Sequence, residues 1–235
     1  KGYIPTKSIQ HSIPDWLAET LEKELGSTWE NEMIALNEQA PTVLRANTLR
    51  TTPKDLVGEL KEEGVNAFTL PNYPYAVQLE EKKNVFLTTA FKEGLFEVQD
   101  ASSQKIAQLL QVKEGLRVVD VCAGAGGKTL HLAAMMQNKG QIIALDIFQW
   151  KLAELKRRAK RAGAHNIETR LIDDSKVIKR LHNSADRLLI DAPCSGLGVL
   201  KRNPDSKWKI DQNFIDRIVK EQEQILQDYS KIIKK

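Results

Sequence analysis

Cysteine and histidine are scarce in this sequence: two and four residues out of 235. Two cysteines cannot form a disulfide framework in a chain this long. No second Cys or His stands at metal-ligand spacing from either, so no metal site is expected. No stretch approaches the roughly 18 consecutive apolar residues of a membrane span, and the N-terminus has no signal-peptide pattern. Internal repeats and low-complexity tracts are missing as well, which excludes solenoids and composition-driven disorder. A soluble, cytoplasmic, reducing setting and a monomer are the simplest expectations. Methionine does not stand first; the chain begins with Lys1, so a fragment or processed product is expected.

The composition is that of a globular protein, 41% hydrophobic and 28% charged. A chain of this length buries roughly 70% or more of the surface its unfolded form exposes, enough for a packed core without covalent staples. The net charge of +4 permits a polyanionic partner without requiring one. The distribution is more telling. KLAELKRRAKRAG (Lys151 to Gly163) puts Lys156, Arg157, Arg158, Lys160 and Arg161 on one predicted helix, and KRNPDSKWK forms a second basic cluster around Lys201, Arg202 and Lys207.

Three segments differ in texture. Residues 1–40 read as helical: DWLAETLEKEL, opened by Pro14 and Asp15, has Trp16, Leu17, Leu21 and Leu25 at helical spacing and ends at Gly26, and TWENEMIALNEQ stops before Pro41. Residues 41–100 read as a small α+β module. TVLRANTL is a strand, TPKDLVGELKEEG a helix begun by Thr52 with Pro53 at its first position, and VNAFTL and YAVQLE further strands. From residue 101 to 235 the rhythm is strand–helix–strand–helix. LRVVDV, QIIALDI, NIETRLI and RLLIDAP are the strands, GKTLHLAAMMQ and Gln149–Ala162 are helices between them, and a long helix from Asp211 closes the chain. Apolar strands alternating with helices predict a Rossmann-like parallel sheet covered on both faces, with its ligand at the carboxyl ends of the strands.

DVCAGAGGKT (Asp120 to Thr129) joins the first of these strands to its helix, where backbone N–H groups face a ligand. A P-loop needs glycine where Cys122 stands, and the dinucleotide pattern needs glycine where Thr129 stands, so both fingerprints fail by one residue. A third reading fits better. Asp146 ends the second strand about 20 residues on, where a carboxylate accepts hydrogen bonds from a ribose diol. Asp173 and Asp191 end the third and fourth. Three acids at strand tips suit a cofactor with ribose hydroxyls, an adenine amino group and a cationic centre, and would repel a triphosphate.

Cys194 follows Pro193 and lies three residues after Asp191, in a turn with Gly196 and Gly198. A thiolate added to carbon 6 of cytosine raises electron density on carbon 5, and a carboxyl group near ring nitrogen 3 assists that addition. Asp191 and Cys194 have the required chemistry. Cys122 reads instead as a small packed side chain.

CAGAGGKT, ALDI, the Asp173 strand end and DAPCSGLGVLKRNPDSKW together resemble successive motifs of the Sun/Fmu/RsmB-type RNA cytosine-C5 methyltransferases, which use S-adenosylmethionine. LRANTL, LKEEG and FEVQDASSQ resemble the segment before that family's catalytic domain. Gly124-Ala125 replaces the family's usual Ala-Pro. The resemblance implies that Cys122, Ala123, Gly124, Ala125, Gly126, Gly127, Lys128, Asp146, Asp173 and Asp191 bind the cofactor and that Cys194 assists release of the methylated base. It also implies a second, attacking cysteine in a Thr-Cys-Ser segment after the long helix. The sequence stops first, so C-terminal truncation is expected, with Cys194 as nucleophile the other possibility.

The target carbon is hidden in a stacked helix, so the cytosine must be flipped out or presented in a loop. Lys201, Arg202, Lys207, Arg157 and Arg158 are candidate phosphate contacts, and Trp208 is expected to pack rather than stack on a base. Ribosomal RNA is the expected substrate, with tRNA as the alternative. A catalytically silent RNA-binding protein on the same fold is the rival from another class, and a P-loop nucleotidase a distant third.

Overall fold

Backbone contacts divide the chain into two units, one of residues up to Ala40 with Pro193–Gln224, the other of Pro41–Ala192 with Ile225–Lys235. The computed structural model describes residues 5–235; the first four residues of the expected helical segment lie outside them. The first unit opens with a one-turn helix, α1 (Lys7–Gln10), then α2 (Asp15–Leu25) and α3 (Trp29–Asn37). The periodicity of DWLAETLEKEL explains its packing. Leu17 and Ala18 turn inward with Ile13, Trp29 and Met33, and Leu197 from the later segment packs against that cluster.

The second unit carries two sheets. Its N-terminal part runs β1 (Val43–Ala46), α4 (Pro53–Glu62), β2 (Ala67–Thr69), β3 (Ala76–Leu79), α5 (Thr89–Lys92) and β4 (Phe96–Val98). Thr52 caps α4, its Oγ1 accepting the Asp55 amide at 3.2 Å, and Pro53 follows at the position that needs no N–H. The strands pair antiparallel in the order β2-β3-β1-β4. That order on a βαββαβ chain is the ferredoxin-like arrangement. Leu44, Leu56, Leu60, Val77 and Phe96 fill the space between sheet and helices.

The remainder alternates α6 (Ala101–Leu109), β5 (Arg117–Asp120), α7 (Gly127–Met135), β6 (Gln141–Asp146), α8 (Gln149–Ala162), β7 (Ile167–Leu171), α9 (Ser175–Lys179) and β8 (Arg187–Leu189). The sheet is parallel throughout, in the order β7-β6-β5-β8. Successive strand residues face opposite ways, so Val118 and Ile142 join one core with Leu132 and Leu155, while Val119, Ile143 and Leu145 join another with Ile178, Leu181 and Ile232. Both faces are covered, as the continuous apolar strands predict. Strand order reverses between β5 and β8, which places the ligand crevice at their carboxyl ends.

A long amphipathic helix, α10 (Gln212–Tyr229), begins in the first unit and ends in the second, and Ile233 beyond it forms a parallel bridge with Ala185. Two strands differ from expectation. β4 was not anticipated, because the three residues of FEV are too few for their alternation to signal a strand. RLLIDAP yields only three strand residues, so Asp191 sits two residues beyond β8. Among the described residues no helix is long and apolar enough to cross a membrane, and no group of three or more His, Cys, Asp or Glu side chains is disposed to hold a metal ion.

Candidate functional site

The glycine loop begins where β5 ends. Val121 still donates its N–H to Leu189 O at 3.1 Å and Ala123 donates to Leu145 O at 2.9 Å, so the loop is tied to both neighbouring strands before it turns. Two left-handed glycines make the turn, Gly124 at φ +54° and Gly126 at φ +88°. They serve different ends. A Cβ on Gly126 would lie 2.6 Å from Leu155 Cγ of α8, so its glycine lets loop and helix pack. A Cβ on Gly124 would meet nothing within 4 Å, so the flank of the loop at Gly124 is open. Gly126 caps α7 with no side-chain acceptor, which leaves the first-turn amides of Gly127 to Thr129 without helical partners. Cys122 is half-buried against the Val119–Ile143 core, and Lys128 reaches the carboxylate of Asp191 in an ion pair across the point where strand order reverses.

Asp146 is the acid beneath the loop. Only 7% exposed, it accepts the Gly124 amide on Oδ2 at 2.9 Å and the Phe148 amide on Oδ1 at 2.8 Å. Each oxygen keeps a further lone pair for a ligand hydroxyl. Asp173 stands exposed two residues past β7 and makes no hydrogen bond or ion pair among the described residues; its neighbour Asp174 caps α9 instead.

Sequence reasoning missed Asp120. This carboxylate is 1% exposed and accepts the Thr129 hydroxyl on Oδ2 at 2.7 Å. Burial pushes its pKa up to about 7, the Thr129 bond opposing the rise and the Asp191 charge adding to it. An acid directly after two buried valines at a strand end, with a hydroxyl nine residues later on the first helical turn, was the available signal.

A buried charge network backs the loop, also unanticipated. Arg45 of β1, its guanidinium wholly buried, donates to the Gly127 carbonyl and the Gln99 side chain. Burial lowers its pKa to about 10, the Glu97 charge opposing that, and it stays cationic at neutral pH. Arg158 of α8 donates to the Ala125 carbonyl at 2.7 Å and to Glu97 Oε2 at 2.8 Å, and Arg161 donates to Glu97 Oε1 at 2.5 Å. Glu97, on β4, is 4% exposed. Thus Arg45 of β1, and Glu97 of β4 acting through Arg158, hold the Gly127 and Ala125 carbonyls of the glycine loop. His131, buried by its own helix near Arg45, is pushed down to a pKa of about 2 by burial first and Arg45 second, and stays neutral.

Cys194 belongs to the first unit. Its residue is exposed and forms no disulfide. Pro193 O accepts the Gln222 side chain at 2.7 Å, and Gly196 supplies the positive φ, +75°, that ends the turn. Lys201 pairs with Glu38 at 3.1 Å, and Arg202 is exposed. Two expected phosphate contacts need correcting. Lys207 is 4% exposed and donates to Asn37 Oδ1 at 2.9 Å, its pKa lowered by burial, so its amine serves the packing of its own unit. Arg158 is consumed by Glu97 and the loop carbonyl. Arg157 does stay exposed, bridged to Glu154 at 2.7 Å. Trp208 departs from its expected packing role as well: it is 58% exposed, beside a cavity of ≈ 370 Å³ lined by Ile9, Pro14 and Asp15.

A glycine loop and a buried acid at the switch point of a 3-2-1-4 parallel half-sheet define a Rossmann-like domain that binds a ribose-bearing cofactor. Comparison with known proteins specifies it. Residues 107–235 match the 16S rRNA methyltransferase RsmB/F model and residues 13–86 the ferredoxin-like domain of RsmF/B-like methyltransferases, and the chain belongs to this family. It is 33% identical over 91% of its length to ribosomal RNA small subunit methyltransferase B of Proteus mirabilis, of which the match covers 50%. It is 34% identical over 96% of its length to the probable ribosomal RNA small subunit methyltransferase B of a Synechocystis strain, covering 51% of that protein. The chain therefore spans about half the length of the curated relatives it matches. A methyltransferase homolog from Pyrococcus horikoshii superposes with a TM-score of 0.83 at 27% identity, covering 97% of this chain and 72% of that one.

The cofactor of this family is S-adenosylmethionine. The residues fit it: an open flank at Gly124, first-turn amides without partners, and a buried carboxylate with lone pairs to spare suit a ribose and an amino-acid carboxylate.

Proposed function

We propose that this chain performs S-adenosylmethionine-dependent methyl transfer to carbon 5 of a cytosine in RNA, with ribosomal RNA as substrate and the cytoplasm as its setting. The observation that carries the reading is Asp146, whose two oxygens are fixed by Gly124 and Phe148 amides beneath a glycine loop of the matching family. The cofactor supplies an electrophilic methyl group when bound. Asp146 and the loop Cys122–Lys128 hold it, and Asp191, paired with Lys128, lines the crevice at the end of β8. Asp173, exposed at the end of β7, completes the acidic rim. Cys194 is exposed and outside any disulfide, so its thiol is open to a bound base. In this reading it assists release of the methylated base. Neither cysteine of the chain lies in the Thr-Cys-Ser segment that the family resemblance assigns to the attacking thiol. Lys201, Arg202 and Arg157 remain the phosphate contacts of the reading; Trp208 is exposed enough to stack on a base.

The test offers the chain methyl-labelled S-adenosylmethionine with unmodified ribosomal RNA and, separately, tRNA, and assays 5-methylcytosine with Cys194→Ala alongside. Label in ribosomal RNA supports the reading, and label in tRNA alone moves the substrate. Cofactor and RNA binding without label, persisting when the chain is extended to the length of its relatives, would replace the enzyme by an RNA-binding protein.

A further inference from the structure

The cationic residues of α8 fall into two tiers. Arg158 and Arg161 turn inward, against Glu97 and, for Arg161, with its guanidinium 3.9 Å from the Phe91 ring centre. Arg157 and Lys160 turn outward. There they meet Arg50, which follows β1, and Lys92, which ends α5, around a cleft of ≈ 580 Å³ lined by Arg50, Lys92, Glu93, Arg157, Lys160 and Arg161. Five cations face one carboxylate. Arg157 and Arg161 already have acidic partners, Glu154 and Glu97, whereas Arg50, Lys92 and Lys160 have no carboxylate within 4 Å among the described residues. Arg50 is nonetheless held in place, its Nε donating to Ala162 O at 3.2 Å at the end of α8.

Every side chain lining this cleft is charged. No aromatic side chain lines it for a nucleobase to stack on, and an apolar ligand finds nothing to bury against. A polyanionic backbone finds unmatched positive charge on two elements of the ferredoxin-like module and one of the catalytic sheet. The cleft shares no lining residue with the cofactor site. The glycine loop and Asp146 lie at the carboxyl ends of the strands, where α8 begins. The loop also touches α8 at Leu155 and Arg158, on the helix's inner side, whereas Arg157 and Lys160 turn outward into the cleft.

We propose that this cleft is a phosphodiester-binding track that holds substrate RNA by its backbone, through residues other than those of the cofactor site. The proposal rests on the RNA reading above. It divides labour along one helix: the inner arginines fix module and loop together, and the outer cations grip RNA on the rigid platform so formed. Its contribution is affinity without sequence information, since phosphates are alike along the chain.

The experiment measures RNA affinity of the chain by fluorescence anisotropy across a salt series, comparing wild type with the triple variant Arg50→Ala, Lys92→Ala, Lys160→Ala. A control neutralises three exposed lysines outside the cleft, Lys54→Ala, Lys113→Ala, Lys179→Ala. The track predicts that the cleft variant loses about 2 from the slope of log K against log salt, at about 0.7 per single-stranded phosphate contact, and at least about tenfold in affinity at low salt. S-adenosylmethionine affinity and melting temperature should stay at wild-type values. RNA binding with an unchanged slope, or an equal loss in the control, would overturn the track and leave the RNA reading intact. A folded, cofactor-competent wild type that binds no RNA at any salt would overturn both.

Discussion

Arg158 joins the two sheets of the second unit through one guanidinium, donating to Ala125 O of the glycine loop at 2.7 Å and to Glu97 of β4 at 2.8 Å. The cofactor loop is thus shaped from behind by the ferredoxin-like module. Arg158→Met is expected to weaken S-adenosylmethionine binding about tenfold, roughly 1.4 kcal/mol, with Arg158→Lys intermediate because a single ammonium cannot reproduce the fork. Glu97→Gln strips the acid from two half-buried guanidinium groups and should lower stability in urea unfolding by about 2–3 kcal/mol, less than for a fully buried pair. Wild-type cofactor affinity in Arg158→Met would remove the clamp from the account.

Asp120 makes stability depend on pH. Unfolded, an aspartate titrates near 3.9, whereas in the fold burial holds this one at about 7. The folded form therefore binds the proton more tightly. That contribution is complete below pH about 4 and lost as pH rises through about 7. Between those values stability should fall, by at most about 1.4 kcal/mol per pH unit from this group. Asp120→Asn, which can still accept the Thr129 hydroxyl, should flatten that segment of the curve. Urea midpoints at pH 5, 6 and 7.5 test it, and parallel profiles for the two proteins would contradict it.

Gly126 is constrained twice, by φ +88° and by Leu155 where a Cβ would stand. Gly126→Ala should destabilise by about 1–3 kcal/mol and shift the loop, lowering cofactor affinity more than Gly124→Ala, whose flank is open but whose φ is also positive. Equal effects on affinity at both positions would show that backbone strain alone decides.

Lys207 looks like an RNA contact in the sequence and is a packing residue in the fold. Lys207→Met should leave the salt dependence of RNA binding unchanged while altering the unfolding midpoint, because its amine is turned to Asn37. A slope reduced by about 0.7 in that variant would return Lys207 to the RNA surface.

Local signals carried the elements well and failed on partners. Gln149–Ala162 was legible from its apolar stripe and the glycine that stops it, and α4 from Thr52 and Pro53, because caps and periodicity act within a few residues. Likewise, the glycine loop and Asp146 were legible as a pair because strand, turn and the next strand's acid follow one another closely, and the Gly124 amide donates to Asp146 in the fold. β4 was not, since FEV becomes a strand only by pairing with β1 some fifty residues earlier. Arg45, a charge amid the apolar neighbours of VLRA, was not picked out, because its partners Gln99 and Gly127 lie 54 and 82 residues away. Nor does a run such as KRRAKR say which of its cations turn inward; that is decided by Glu97 on another element. Charge content therefore over-counted the RNA contacts by Arg158 and Lys207.

The most direct test of the account is titration calorimetry of S-adenosylmethionine into this chain, wild type and Asp146→Ala, with ATP as competitor. The account predicts saturable one-to-one binding that ATP does not displace, weakened about a hundredfold or abolished in a folded Asp146→Ala, as expected when the carboxylate that anchors Gly124 and Phe148 and accepts the ribose is removed. A folded wild type that binds no S-adenosylmethionine, or an Asp146→Ala variant that binds it equally well, would contradict it.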